Sequence, residues 1–365
     1  MRSAVLLFCL LLSLVFPPGL HPDTLHLRAD SVAAMVLGGN PLCQISEGSR
    51  FQWESGELQP LEGLFSFYTT NQRPLEARFE VSDQAPVGEV LRGSFVFSEA
   101  VDRLDGVLQR DGGEFDSSFK GFALDDTSLR WCILLGIPST AEAGEYSLEI
   151  RASRGRRFIL YTTYVDVRYR NFRSEEIAFN QSLSELLTKP DPRKTKEYQD
   201  LLRLLSTFNS RSVFHTETLA VPVAATRRTS RFADRRLYSY TDGGSSRSLH
   251  NGVDLAAPAG TPVFASGAGR VVLARERIIS GNSVVIEHLP GVFTLYYHLE
   301  DIEVQEGQRL YRGQRIGTVG MTGLATGPHL HWELRVGGVA VDPDVFVELP
   351  IIDKTVFSHN IIDQN

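Results

Sequence analysis

The chain contains little cysteine, with three residues among 365. Cys9 lies in an apolar N-terminal run, which leaves Cys43 and Cys132 for the rest of the chain. In an oxidising compartment this pair could form one disulfide, and two separate buried thiols are the alternative. The sequence does not decide between them. Neither cysteine is near the histidine-rich motifs, which argues against a Cys–His nucleophile and against a thiolate metal site.

The chain also lacks an excess of positive charge, and its formal net charge is −7. A nucleic-acid-binding protein needs basic surface to neutralise phosphates, so we expect no nucleic-acid partner. One basic cluster stands out against this negative net charge. We interpret it as a solvated or salt-bridged loop, with an anionic-ligand site as the alternative. Its members are Arg227, Arg228, Arg231, Arg235 and Arg236.

Long apolar runs are missing beyond the N-terminus. Residues 4–16 form an apolar run of about 13 residues behind Arg2, too short to span a bilayer but typical of a signal peptide. Pro17 and Pro18 end the run, and we assign residues 1–20 to the signal with an uncertain cleavage site. An uncleaved anchor is the alternative and would be the only membrane contact. We therefore expect an exported protein, located in the periplasm or associated with the cell envelope.

The length predicts two or three domains. Residues 41–170 contain short alternating apolar runs separated by turn residues, which is typical of an immunoglobulin-like β-sandwich. Leucines at helical spacing, together with Ile177, predict a helical connector over 171–212. Short strands with glycine at the turns predict a compact antiparallel sheet over 213–349, followed by a C-terminal tail, 350–365. The fold class is therefore mainly β.

Three segments of the last third carry the chemistry: LHNGVDLAAP, LYYHLED and TGPHLHWEL. They bring five candidate residues into one domain, namely His250, Asp254, His298, His329 and His331. If residues 328–334 form a strand, the alternation of strand side chains places both histidines of the H-x-H pair on one face. Leu330 and Trp332 would then pack on the other face.

His250 and Asp254 are four residues apart, but Gly252 and Pro258 argue against a helix. A turn and the start of a strand fit better, with Gly252 allowing the backbone to curl around a metal. Two histidines and one carboxylate supply three protein ligands and leave a fourth position for water, as in catalytic zinc sites. The remaining imidazoles could serve as a general base and stabilise an oxyanion. His288 is interpreted as structural.

From Phe214 to Pro343 the chain resembles the lysostaphin-like zinc metallopeptidases, which cleave peptide cross-bridges of bacterial cell walls. The resemblance covers about a third of the chain and rests on ordered motifs: SRFADRR, HNGVDLAAPAGTPVFASGAGRVV, GNSVVIEH, LYYHL, VQEGQRLYRGQRIGTVGMTG, GPHLHWEL and VDP. It implies that His250, Asp254 and His331 bind one Zn²⁺ per chain. It also implies that His298 and His329 are the catalytic histidines.

Two features depart from the family pattern. Ala233 stands where the family commonly has glycine, and residues 237–248 are rich in Gly and Ser, which predicts a mobile loop over the cleft. Neither removes a ligand, but both bear on the shape of the groove. The N-terminal half is loosely similar to the accessory region of some exported members.

The resemblance favours an exported metalloendopeptidase that acts on peptidoglycan stem peptides or cross-bridges. The alternative is a non-catalytic, wall-binding regulator that activates a separate murein hydrolase, although such members have typically lost the metal ligands. A purely structural zinc site fits poorly, because such sites usually close all four positions with protein ligands. The bond that is cut, occlusion of the cleft by the N-terminal half and the oligomeric state are left open.

Overall fold

A computed structural model describes residues 75–110 and 116–358, together with the backbone of four strands between residues 24 and 68. The predicted signal peptide and the side chain of Cys43 lie outside the described residues. Within the part that is described, no helix is long and apolar enough to cross a bilayer.

Before residue 170 the described chain is built from strands in two sheets. The strands are β1 Thr24–His26, β2 Leu42–Ile45, β3 Arg50–Glu54, β4 Glu57–Tyr68, β5 Ala77–Val81, β6 Gln84–Pro86, β7 Val90–Phe97, β8 Arg103–Gln109, β9 Asp116–Lys120, β10 Phe122–Ala123, β11 Arg130–Gly136, β12 Gly144–Arg154 and β13 Arg157–Arg168. The larger sheet has the order β1-β3-β4-β13-β12-β8-β9, with β2 on β4 and β6 on β13, and the smaller one the order β10-β11-β7-β5.

The two sheets share one apolar core. Leu91 and Ile133 of the smaller sheet and Leu104 and Leu148 of the larger one all belong to it. Each of these side chains is 1% exposed or less. Alternate residues of each strand point into this core, which is the arrangement of a β-sandwich.

The connector contains a strand as well as two helices: β14 Ser174–Ala178, α1 Gln181–Thr188 and α2 Pro192–Leu205. Our placement of Ile177 on a helix is wrong, since it lies in β14. The reason is the cap at Asn180, whose side chain accepts a hydrogen bond from the Leu183 N–H at 2.9 Å and starts α1 only at Gln181. β14 instead pairs in parallel with a strand of the C-terminal half.

The C-terminal half contains the remaining strands and one short helix: β15 Arg227–Ser230, β16 Arg235–Ser239, β17 Ser245–Leu249, β18 Gly252–Ala256, β19 Pro262–Phe264, β20 Gly269–Arg277, β21 Gly281–Leu289, β22 Val292–Ile302, β23 Arg309–Leu310, β24 Arg315–Val319, β25 His329–Val336, β26 Val339–Val341 and α3 Asp344–Glu348. The main sheet has the order β15-β18-β25-β22-β21-β20-β23, with β24 on β22, β19 on β24 and β26 on β25. The pairings in this sheet are antiparallel, as predicted.

The Gly/Ser-rich segment 237–248 is ordered differently from our expectation. β16 and β17 pair as an antiparallel hairpin, and β14 adds to its edge to give a separate three-stranded sheet. The expected loop is therefore mostly strand, and only residues 240–244 form the turn. The cross-strand hydrogen bonds between β16 and β17 account for the difference, because both glycines lie at the turn while the serines lie in the strands.

The sandwich and the C-terminal half share part of an apolar core. Val90, Phe122, Cys132 and Leu134 of the sandwich belong to the core cluster of the C-terminal half. At Gly136 the backbones approach so closely that a Cβ would lie 2.9 Å from the Val336 carbonyl oxygen. Cys132 is a free thiol, 1% exposed, and burial raises its pKa to about 12.

The segment after α3 returns to the sandwich. Ile351 and Ile352 are 0% and 3% exposed. The Arg92 guanidinium donates to the Pro350 carbonyl oxygen at 3.2 Å, and the Ser94 hydroxyl donates to the Asp353 carbonyl oxygen at the same distance. The first residues of the predicted tail are thus part of the packed structure.

Candidate active site

Two neighbouring strands place the candidate metal ligands. β18 runs antiparallel to β25, so Asp254 lies directly opposite His331. Gly252 permits this approach, because a Cβ there would lie 2.3 Å from the Trp332 carbonyl oxygen. His250 precedes β18, and its backbone N–H donates to the Asp234 carbonyl oxygen at 3.0 Å.

Three side-chain atoms converge between these strands. His250 Nε2 lies 3.0 Å and His331 Nδ1 2.8 Å from Asp254 Oδ1, and the two nitrogens are 2.9 Å apart. All three side chains are buried, with exposures between 3% and 7%. The structure thus brings together the three residues that the sequence singled out as ligands.

The other nitrogen of each imidazole determines where its lone pair points. His250 Nδ1 is 2.8 Å from the Arg231 carbonyl oxygen, and His331 Nε2 is 3.0 Å from Glu333 Oε1. Because these oxygens only accept, both nitrogens carry a proton, and in neutral imidazoles His250 Nε2 and His331 Nδ1 would face Asp254 with lone pairs. Three electron-rich atoms at one point repel each other unless a cation lies between them, either a metal ion or a proton on one of the nitrogens. Two imidazole nitrogens and one carboxylate oxygen are a donor set that suits Zn²⁺.

A buried ion pair supports His331 from behind. Arg335 Nε donates to Glu333 Oε2 at 2.8 Å, and alternation along β25 places His331, Glu333 and Arg335 on one face. Burial would raise the pKa of Glu333, but Arg335 and His331 outweigh it and lower the pKa to about 2. Sequence reasoning missed this pair, although the H-x-E-x-R spacing on a strand was the signal. A carboxylate behind a metal-binding histidine fixes its tautomer and orientation.

The carboxylates of Asp254 and Glu333 favour a positive charge where the three ligand atoms converge. Burial alone would lower the pKa of His331, but its hydrogen bonds to Asp254 and Glu333 outweigh burial and raise the pKa to about 9. Burial likewise opposes ionisation of Asp254, yet its contacts with His250 and His331 hold the pKa of that carboxyl well below its ordinary range.

Two more imidazoles flank the ligand cluster. The ring centroids of His298 and His329 are 4.8 Å apart, and that of His298 is 6.1 Å from that of His331. His298 Nδ1 donates to the Thr322 carbonyl oxygen and His329 Nδ1 to that of Gly327, both at 2.8 Å. In a neutral ring, each Nε2 is then left as an acceptor. Burial, and then the neighbouring histidines, lower the pKa of His298 to about 3, which keeps it neutral.

The basic cluster is salt-bridged in part, as we interpreted it, but four of its five arginines lie in β15 and β16 and not in a loop. Arg228 forms an ion pair with Asp344. Arg236 pairs with Glu175 of β14 and donates from Nη2 to Asp254 Oδ2 at 2.7 Å. Sequence reasoning missed Arg236 and Glu175 as neighbours of the ligand cluster, because no pattern in the sequence indicates that β14 pairs with β16.

A cleft of about 400 Å³ is lined by four of the five candidate residues, Asp254, His298, His329 and His331, whereas His250 does not line it. Ile177, Phe179 and Tyr238 line one side, and residues 324 and 326–328 line the other. The rings of Phe179 and Tyr238 stack with centroids 4.8 Å apart. The connector therefore supplies part of the cleft wall. A larger cavity of about 820 Å³ shares Arg236 with the cleft and is also lined by Glu175, but it has no imidazole in its lining.

His288 lies away from the cleft and is fully buried. Its Nδ1 donates to the Ala268 carbonyl oxygen at 2.7 Å, and its Nε2 lies 2.7 Å from the Thr294 hydroxyl. His215 lies nearby, with a ring-centroid distance of 6.2 Å. Both nitrogens of His288 have protein partners, so it serves the packing of the sheet.

Comparison with known proteins places these residues in a family. Residues 248–343 match the model of Peptidase family M23. The peptidoglycan DD-endopeptidase ShyA of Vibrio cholerae is 50% identical over 113 residues, which cover 31% of this chain and 26% of that protein. The DD-carboxypeptidase/endopeptidase Mpg of Neisseria meningitidis is 48% identical over 107 residues, covering 29% of this chain and 24% of that one. The chain thus spans about a quarter of the length of these relatives.

One solved structure resembles more of the chain. A protein of Pseudomonas aeruginosa assigned to peptidase M23 has 26% identity and a TM-score of 0.52. The likeness covers 72% of this chain and 93% of that one, and so extends well beyond residues 248–343.

Proposed function

Because residues 248–343 form a C-terminal domain of peptidase family M23, we propose that this protein is a zinc metalloendopeptidase that hydrolyses peptide cross-links of bacterial peptidoglycan. One observation carries the proposal. His250 Nε2, Asp254 Oδ1 and His331 Nδ1 converge within 3.0 Å of one another, beside two further imidazoles whose Nδ1 atoms donate to backbone carbonyl oxygens.

His250, Asp254 and His331 would hold one zinc ion, and three protein ligands leave the fourth position open. When bound, zinc supplies a Lewis acid that polarises the scissile carbonyl and lowers the pKa of water toward about 7. The protein's own part is to keep the two imidazoles in the required tautomer, through the Arg231 carbonyl and the Glu333 carboxylate.

His298 and His329 would move the proton. A neutral imidazole whose Nδ1 donates to a backbone carbonyl accepts a proton at Nε2, and the imidazolium that results can donate to an oxyanion or to the leaving amine. Burial keeps His298 neutral before the reaction, so its Nε2 lone pair is not already protonated.

The named relatives are DD-endopeptidases, and we infer that the bond cut here is the direct link between D-alanine and a diamino acid. The substrate requires export to the periplasm or cell envelope, for which the apolar run before Pro17 would serve as the signal. A non-catalytic regulator has no need for the metal ligands. Their complete set, together with both further histidines, supports catalysis.

The test is mass spectrometry of fragments released when the zinc-loaded protein is incubated with isolated cross-linked cell walls. Wild type should release peptides with new D-alanyl carboxyl termini and free diamino-acid amines. His329→Ala should keep its zinc and lose about 10²- to 10⁴-fold in rate. His331→Ala should lose the metal. A zinc-loaded wild type that releases no new termini would overturn the proposal.

A further inference from the structure

The two carboxylate oxygens of Asp254 have different partners. Oδ1 faces His250 Nε2 at 3.0 Å and His331 Nδ1 at 2.8 Å, whereas Oδ2 accepts from Arg236 Nη2 at 2.7 Å. The side chains of Arg236 and Asp254 are 11% and 9% exposed, so water screens this contact little. One oxygen is directed at the point of convergence and the other is held away from it.

Arg236 is itself held by the connector. Glu175 lies directly opposite Arg236 in the parallel pairing of β14 with β16, and its carboxylate accepts from Arg236 Nε. The Ser230 hydroxyl donates to the same carboxylate at 3.2 Å, and Ser230 lies opposite Asp254 in the pairing of β15 with β18. Glu175, Arg236 and Asp254 therefore form a chain of ion pairs that runs from the connector to the ligand cluster.

We propose that Arg236 and Glu175 are positioning residues, which keep Asp254 a one-oxygen metal ligand and make the connector part of the metal site. This inference rests on the proposed function for the identity of the metal. A carboxylate that binds through both oxygens adds a ligand and crowds the position that water needs. Arg236 prevents this by occupying Oδ2 with a fixed, planar donor group.

Glu175 is needed for a separate reason. Arg236 places a positive charge next to a site that takes a cation, and this charge would oppose metal binding unless it were offset. Glu175 offsets the charge of Arg236. Because Glu175 also accepts from the Arg236 guanidinium, it weakens the attraction between Arg236 and Asp254. Neutralising Glu175 should therefore weaken metal binding, by the 10- to 100-fold that is roughly typical for partners of metal ligands.

The first test measures the zinc dissociation constant of the full chain by competition with a chelating dye. Glu175→Gln is compared with Glu176→Gln, which makes the same charge change one residue along β14, at an exposed side chain. We expect about tenfold weaker binding or more for Glu175→Gln, and a change below about twofold for Glu176→Gln. Equal zinc affinity in Glu175→Gln and wild type would overturn the proposal.

The second test reports the coordination of the metal rather than its affinity. Four-coordinate cobalt(II) absorbs visible light more strongly than five-coordinate cobalt(II). In Arg236→Met the freed Oδ2 can join the metal, so the cobalt-loaded variant should absorb less per ion than wild type. An unchanged spectrum would overturn the role of Arg236. Should this variant not fold, as judged by circular dichroism, Glu175→Gln alone decides.

Both tests read metal binding and not hydrolysis. A wild type that binds zinc but releases no peptide would refute the proposed function and leave this inference intact. Equal affinity in Glu175→Gln and wild type, combined with active wild type, would do the reverse.

Discussion

His298 occupies a backbone conformation that side chains seldom adopt. Its φ is +61°, in the left-handed region. Its N–H donates to the Ser280 carbonyl oxygen at 2.9 Å and its ring to that of Thr322 at 2.8 Å. Strained residues persist where several contacts over-determine them, and such residues cluster at functional sites. Here the strain directs an imidazole into the cleft from a sheet strand.

This strain predicts an inverted order of stability for two substitutions. At most positions a protein is more stable with alanine than with glycine. At positive φ this order reverses, because glycine has no Cβ to clash with the backbone. We expect the free energy of unfolding of His298→Gly to be about 1 kcal/mol higher than that of His298→Ala. Urea unfolding of the two variants checks this, with both expected to be inactive on cell walls. A more stable alanine variant would show that the φ of His298 is not strained.

Ala233 is the second strained residue of the site region, with φ +60° where the family commonly has glycine. Its N–H donates to the His250 carbonyl oxygen at 2.7 Å, so its conformation helps to place a ligand. The methyl group is 1% exposed and belongs to the apolar core. Burial of one methyl contributes about 0.8 kcal/mol, which offsets most of a strain of about 1 kcal/mol. This balance explains how alanine is tolerated there.

At the scale of elements, the turn that begins β21 supports the loop behind His298. Gly281 has φ +63°, and a Cβ there would lie 2.2 Å from Thr322 Oγ1 and 2.4 Å from the Thr322 carbonyl oxygen. That carbonyl accepts the hydrogen bond from His298 Nδ1. Any side chain at residue 281 therefore moves the group that fixes the imidazole.

A pair of glycine substitutions separates this contact from backbone strain. Gly260 also has positive φ, at +83°, but nothing lies within 4 Å of its Cβ position. Gly260→Ala should cost about 1–2 kcal/mol and leave hydrolysis intact. Gly281→Ala should cost a further 1–3 kcal/mol, roughly, and reduce hydrolysis sharply. Thermal unfolding and cell-wall assays measure the two effects, and equal activity in both variants would contradict the role of Thr322.

Elements with a periodic pattern could be predicted from the sequence, whereas their lateral partners could not. Strands such as β5, β7 and β24 lie in the parts of the chain for which we predicted strands, because alternating apolar residues mark a half-buried strand. The five candidate residues, which the structure brings close together, were singled out through spacing and the family resemblance. β14 was not found, because Ile177 fits helical and strand spacing equally well. The pairing of Glu175 with Arg236 depends on that strand and was missed with it.

At the scale of the molecule, buried His288 predicts a loss of stability in acid. The pKa of His288 is lowered from 6.5 to about 4, and the largest cause is burial. Below pH 6.5 the unfolded chain binds a proton that the folded chain does not, so the free energy of unfolding falls until about pH 4. At about 1.4 kcal/mol per pH unit the full loss is about 3 kcal/mol.

Urea unfolding between about pH 7 and about pH 4.5 tests this, with a chelator present so that metal release does not contribute. His288→Gln should lose about 2–3 kcal/mol less than wild type over this range, because glutamine does not titrate. Parallel curves for wild type and variant would assign the acid sensitivity to other groups.

The segment after α3 should stabilise both halves at once. A chain that ends at Leu349 loses Ile351 and Ile352, whose burial contributes roughly 3–6 kcal/mol together. A chain that ends at Asp353 keeps both and serves as the matched control. We expect a large fall in melting temperature only for the shorter chain. A similar fall in both would place the stabilisation in residues 354–358 instead.

The core shared by the two halves restricts how this protein can be recombined. A chimera that takes only residues 213–349 would expose the surface that Val90, Phe122, Cys132 and Leu134 now cover. The backbone contact at Gly136 would also need a matching glycine in any new partner. In a chimera, the positions at which two parent sequences are joined should therefore lie outside this shared core. The sandwich and the sheet that carries the histidines would have to be transferred together to keep this core intact.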